Sequence, residues 1–168
     1  MSLEITTAGS RQELDELSEI LREFLDWDID QLRAVSGVKL DVESYVSGTF
    51  DEIDLYFPPK GRLLLARVDG RLIGTAFLKS IRYDTCEIKR MYVRPEHRGK
   101  GLGKILLTRL IDDAKNIGYA RILLDSACYM TAAHTLYRSM GFTDIEYYPE
   151  GETGEALKDF LVYMEMRI

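Results

Sequence analysis

The residues whose types and spacing can do chemistry crowd into one stretch, from Glu87 to Lys104. It holds an acid in an apolar run (Glu87), a basic pair (Lys89, Arg90), a proline turn at Pro95, and then Arg98-Gly99-Lys100-Gly101-Leu102-Gly103-Lys104. Glycines at alternate positions let a backbone turn tightly and expose its N–H groups. A helix starting near Leu102 would add the positive end of its dipole at the same place. That chemistry suits an anion, specifically a phosphorylated ligand. Between Ile88 and Arg109 seven bases face the single acid Glu96, so the segment carries +6 inside a chain whose net charge is −6. A local cationic site on an acidic body concentrates a small polyanion without attracting long nucleic acids. The competing explanation for the bases is a solvated helix face.

Two phosphate-loop designs fail on spacing. A nucleotide-hydrolase loop needs Gly, four residues, then Gly-Lys-Ser/Thr, whereas Arg98 stands where the first glycine belongs and Ile105 replaces the hydroxyl. A dinucleotide fingerprint needs Gly-x-Gly-x-x-Gly after a first strand, whereas Gly99, Gly101 and Gly103 give Gly-x-Gly-x-Gly after several.

The elements that must position this stretch read as an alternation of strands and helices. Leu3–Thr6 is a short strand. Ser10 with Glu13 resembles a capping box, and Leu14, Leu17, Ile20, Leu21, Phe24 and Leu25 then recur at helical spacing, which predicts an amphipathic helix of about four turns. Val42–Phe50 is a second helix. Leu63–Val68 and Leu72–Leu78 flank the hairpin signal Asp69-Gly70, and Cys86–Val93 is the strand that leads into the glycine loop. Leu102–Asn116 is a helix and Arg121–Asp125 a strand, a crossover that puts the loop at a strand's carboxyl end, where α/β sheets bind ligands. Thr131 caps a helix ending at Gly141, and Phe142–Tyr148 and Phe160–Ile168 are strands. Alternation points Lys89 and Arg90 to opposite faces. Trp27, Tyr45, Tyr56 and Phe57 either shape an acceptor pocket or pack on the core.

At 168 residues, 46% hydrophobic and 30% charged, the chain is expected to be one domain over residues 1–168 that buries its own core. It shows no membrane-length apolar run and no secretion-signal pattern, so a cytoplasmic address is expected, with no membrane and no nucleic acid as partner. Cys86 and Cys128 are expected to be buried reduced thiols, and no metal-type cluster is present.

Arg98-x-x-Gly101-x-Gly103, preceded by Met91-Tyr92-Val93-Arg94-Pro95 and followed thirty residues after Gly103 by Ala133-x-x-Leu136-Tyr137-x-x-x-Gly141-Phe142, resembles the GNAT superfamily of acyl-CoA-dependent N-acyltransferases over most of the chain. The resemblance implies an α/β (α+β) fold with a mixed, mostly antiparallel sheet of about seven strands flanked by helices. It implies acetyl-CoA as cosubstrate, no metal, and direct transfer to a primary amine of a small molecule or peptide in a ternary complex. The donor-binding residues it implies are Met91, Tyr92, Val93, Arg98, Gly99, Lys100, Gly101, Leu102, Gly103, Lys104 and Ala133. The pyrophosphate would lie on backbone N–H groups from Arg98 to Gly103. The peptide-like pantetheine arm would pair with the strand edge at Met91 and Val93, and the Met91 N–H would polarise the thioester carbonyl, worth about 3 kcal/mol. The chain departs from the family at Met130, where many relatives carry Asn.

By the same resemblance Tyr137 is the general acid for the departing thiolate, the alternative being a tyrosine packed under the Gly-Phe turn. Glu87 holds the position from which some relatives activate the amine. Burial in an apolar strand raises a carboxyl pKa, and the alternative is an ion pair with a neighbouring Arg or Lys. Asp125 is a lesser candidate for amine binding. A non-catalytic acyl-CoA-binding module on the same scaffold is the second expectation, disfavoured by the presence of Tyr137 and Glu87 together. The acidic body suits a cationic acceptor, whereas Lys89, Arg90 and Arg82 suit an anionic one. The edge strands near the C-terminus offer a route to a homodimer.

Overall fold

The computed structural model describes residues 2–168. One seven-stranded sheet runs in the order β1-β2-β3-β4-β5-β7-β6. Its strands are β1 (Leu3–Thr7), β2 (Arg62–Val68), β3 (Arg71–Arg82), β4 (Thr85–Val93), β5 (Arg121–Ala127), β6 (Thr143–Ile145) and β7 (Leu161–Arg167). Every neighbouring pair is antiparallel except β4 with β5. The helices are α1 (Leu17–Ser36), α2 (Val42–Asp51), α3 (Leu102–Ile117) and α4 (Thr131–Ser139).

Both faces of the sheet are covered, which is why β2 reads as an unbroken apolar run: Leu63 and Leu65 pack with α1 and α2, Leu64 and Ala66 with α3 and α4. The turn from β2 to β3 holds Asp69 at φ 50° and Gly70 at φ 85°, the pair of positive angles that a tight hairpin requires.

Four local expectations are corrected. The Ser10–Glu13 box forms, with Gly9 N and Ser10 Oγ each 3.1 Å from Glu13 Oε1, but it closes a 3-10 turn at Arg11–Glu13. The chain then passes through Glu16 at φ 66°, held where its carboxylate accepts from Leu72 N at 3.3 Å, and α1 begins only at Leu17. Its buried stripe continues through Ile29 and Leu32. Thr131 opens α4 without capping it; Met130 is the N-cap residue and gives no side-chain bond. The strand after Gly141 is only three residues long, because the chain leaves the edge so that Tyr148 can pack on Tyr163 and reach Glu87. Cys86 is buried, its thiol pushed up to about 12 chiefly by burial, whereas Cys128 is exposed in the turn after β5.

Candidate active site

The site is built around a defect in β4. Against β3, Lys89 pairs with Phe77 and Tyr92 with Thr75, so Arg90 and Met91 together oppose Ala76 alone. This is a β-bulge, and Arg90 sits in it at φ 49°. A non-glycine residue there stores strain of about 1–3 kcal/mol, and the Thr75 hydroxyl braces it by donating to the Arg90 carbonyl at 2.9 Å. The extra residue shifts the alternation. Lys89 and Arg90, expected on opposite faces, both reach Glu152, at 3.6 and 2.5 Å.

On its other side β4 pairs with β5 only as far as Ile88 with Leu124, after which the strands part. Arg94 N donates to Ile73 O of β3. Since strand N–H groups alternate in direction, those of Met91 and Val93 face away from β3, into the gap that β5 has vacated. Arg98 Nε donates to Val93 O at 2.8 Å, and its guanidinium lies 5.3 Å from the centre of the Tyr92 ring, pinning the loop to the strand.

A groove of about 520 Å³ runs from this gap over the glycine loop. Gly99 and Gly101 lie at φ 75° and 80°, and Gly101 is the N-cap residue of α3 with no side chain bonded there, so the first amides of a 16-residue helix face the loop uncapped. Ten of the eleven residues expected to hold the donor line the groove; Lys100 does not, its ammonium lying 3.4 Å from Glu96 O. Of the seven bases in the +6 stretch, Lys89, Arg90, Arg94 and Arg109 are paired with carboxylates. The loop and the first turn of α3 hold the others, Arg98, Lys100 and Lys104.

A smaller cavity of about 100 Å³ lies on the far side of the gap, and Phe24, Met91 and Met130 border both spaces. Its polar wall comprises Asp28 of α1, Tyr45 of α2, Lys89 and Arg90 of β4, Asp125 and Ser126 of β5, Tyr137 of α4 and Glu152. Tyr137 is buried, its ring 5.9 Å from that of Phe142, and burial together with the nearby Asp125 charge pushes its hydroxyl up to about 12. Glu87 is wholly enclosed and does not line the cavity. It accepts from Tyr148 at 2.9 Å and lies 3.5 Å from Lys89 Nζ. Burial raises its pKa against the opposing pull of Lys89. Burial also works against the charge on Lys89, but Asp125, Glu87 and Glu152 outweigh it and keep the ammonium protonated. Asp28, bonded by the Tyr129 hydroxyl at 2.6 Å, is raised, mostly by burial.

Trp27 lines the groove and Tyr45 the cavity, while Tyr56 and Phe57 belong to the core. Asp28, Ser126 and Glu152 went unread in the sequence. Only Ser126, beside Asp125 at a strand's end, carried a signal. His134 is buried, with Nε2 3.1 Å from Ser126 Oγ. Among the described residues no group of three His, Cys, Asp or Glu is arranged to hold a metal.

Residues 18–142 match the acetyltransferase (GNAT) family model. The chain belongs to that family. It is 30% identical over 149 residues to an N-acetyltransferase of Schizosaccharomyces pombe, covering 88% of this chain and 86% of that one. Rattus norvegicus N-acetylaspartate synthetase is 34% identical over 94 residues, 54% of this chain and 31% of that one. Among solved structures, the PaiA N-acetyltransferase of Thermoplasma acidophilum in complex with coenzyme A superposes with TM-score 0.72 at 23% identity, covering both chains fully. This GNAT protein is an N-acetyltransferase with acetyl-CoA as its acetyl donor, and its sheet is the seven-stranded, mostly antiparallel one of that fold.

Proposed function

We propose that residues 1–168 act as one cytoplasmic domain that acetylates a primary amine of a small molecule or peptide by direct attack within a ternary complex. The observation that carries this reading is the parting of β4 and β5 at the Arg90 bulge. It leaves the Met91 and Val93 N–H groups facing the groove that the uncapped N-terminus of α3 also lines. Those amides and the glycine loop hold the donor, and the Met91 N–H faces the thioester carbonyl as charge builds on its oxygen. The bulge fits the same task, since it ends pairing where a peptide-like arm must add to the strand.

An ammonium becomes an amide by losing two protons, while the C–S bond breaks and the thiolate gains one. Tyr137, whose hydroxyl carries its proton at neutral pH, gives that proton to the thiolate and recovers one from the amine nitrogen. The second proton leaves through Ser126 Oγ to His134 Nε2, 3.1 Å away, an imidazole that burial keeps neutral near pH 7. Of the two roles open to Glu87, enclosure and the contact with Lys89 favour the ion pair, so its carboxylate holds Lys89 at the cavity wall.

Calorimetry with acetyl-CoA, followed by thiol release over a primary-amine panel, tests this. Binding with turnover is expected. No binding, or binding with no amine acetylated, would overturn it, the latter in favour of a non-catalytic module.

A further inference from the structure

The charge of the acceptor can be read from which side chains around the cavity already have partners. The three bases that would recruit an anionic acceptor are all engaged. Arg82 bonds Glu150 at 2.6 Å, Arg90 bonds Glu152 at 2.5 Å, and Lys89 lies 3.5 and 3.6 Å from Glu87 and Glu152. Neither cation of the cavity wall is left for a substrate carboxylate.

Asp125 lends its charge to Lys89, but one of its oxygens has no donor. It is the first residue of β5 beyond Leu124, where pairing with β4 stops, so it stands at the mouth of the gap and lines the cavity with Tyr137 and Met91. Its Oδ2 atom is buried with no hydrogen-bond partner. Gly151 packs against that oxygen, and a Cβ on it would lie only 3.0 Å away. A buried carboxylate short of donors is costly, and a cation placed beside it in the cavity offsets part of that cost through charge. Asp28, a second carboxyl on the same wall, adds to the negative side.

Resting on the acetyl-transfer reading above, we infer that the acceptor is a primary amine with no carboxylate beside its nitrogen, and that Asp125 is the side chain that holds its ammonium group. Asp125 then sets the nitrogen next to the Met91 N–H, where the thioester carbonyl lies, and beside the hydroxyl of Tyr137. The loop carrying Glu150, Gly151 and Glu152 is part of the selection, because its two acids occupy the bases that would otherwise accept a carboxylate.

The test compares each amine with its α-carboxylated counterpart: tyramine with tyrosine, histamine with histidine, cadaverine with lysine, with aspartate added. Thiol release is followed and products are confirmed by mass. The amine of each pair is expected to show a kcat/KM at least about 10-fold above its amino acid. Asp125→Asn, which preserves shape, is expected to lower kcat/KM for the amines about 10-fold or more, mainly through KM, with calorimetric affinity for acetyl-CoA unchanged. Equal or better use of the amino acids overturns the inference while leaving acetyl transfer standing, and would mean that Glu152 yields its place on Arg90 and Lys89. An Asp125→Asn protein that binds acetyl-CoA and keeps the wild-type KM also overturns it. Acetyl-CoA that binds without thiol release from any compound removes the inference, and absence of acetyl-CoA binding removes the acetyl-transfer reading beneath it.

Discussion

The hydroxyl of Thr75 donates to the carbonyl of Arg90 across the β-bulge at 2.9 Å, so one side chain of β3 braces the strained residue from which the donor-binding edge of β4 begins. Thr75 is itself buried. Thr75→Val keeps the volume and removes the donor, leaving the Arg90 carbonyl without that bond. Destabilisation of about 1–2 kcal/mol is expected in urea denaturation, together with weaker acetyl-CoA binding by calorimetry. Loss of stability with unchanged affinity would show that the bulge is structural and does not aim the edge.

Tyr137 carries the second prediction. Its hydroxyl, raised to about 12 by burial and the Asp125 charge, carries its proton throughout the neutral range. Tyr137→Phe keeps the ring against Phe142 and is expected to cut kcat by about 100-fold or more with little change in either KM. A variant with wild-type kcat would leave the tyrosine a packing residue only.

The sequence was most legible where the cause of structure is local. Asp69-Gly70 adopts the two positive φ angles its composition favours, and Gly99 and Gly101 do the same in the donor loop. Strand and helix identities followed from side-chain periodicity in the same way. The bulge was not legible, because nothing about an arginine asks for φ 49°; Thr75, far away in the chain, and the packing of two strands impose it. That single residue then invalidated the alternation expected for Lys89 and Arg90. The cavity wall was hidden for a similar reason. Asp28 lies on a helix flank that reads as solvated, and Glu152 lies in a polar loop. Only the tertiary fold brings them to β4 and β5.

Glu87 gives a prediction about pH. Burial raises its folded pKa above the unfolded value near 4.5, so the folded state holds this proton more tightly. Its contribution to stability is therefore fully present below the unfolded pKa and is lost as pH rises through the folded one. Glu87→Gln removes the titration. The stability of the variant relative to wild type is expected to increase from pH 4 towards neutrality, measured by urea denaturation at a series of pH values. A difference independent of pH would mean that Lys89 and Tyr148 fully offset the enclosure.

Two glycines of the donor loop are expected to respond to alanine with opposite signs. Gly101 lies at φ 80°, where a Cβ is strained whatever the space around it, so Gly101→Ala should destabilise the unliganded protein by about 1–2 kcal/mol. Gly103 has no such angle. It sits in the first turn of α3, and a Cβ there would meet Leu136 and Met91 at 3.5 and 3.7 Å, ordinary contact distances. In a helix alanine is favoured over glycine by about 1 kcal/mol, so Gly103→Ala should leave the unliganded fold equal or more stable. Both positions line the groove, and both variants should bind acetyl-CoA more weakly. Thermal denaturation without ligand, set beside calorimetry with it, separates the two effects. If Gly103→Ala lost stability as Gly101→Ala does, α3 would start differently from the geometry that places its first amides at the pyrophosphate.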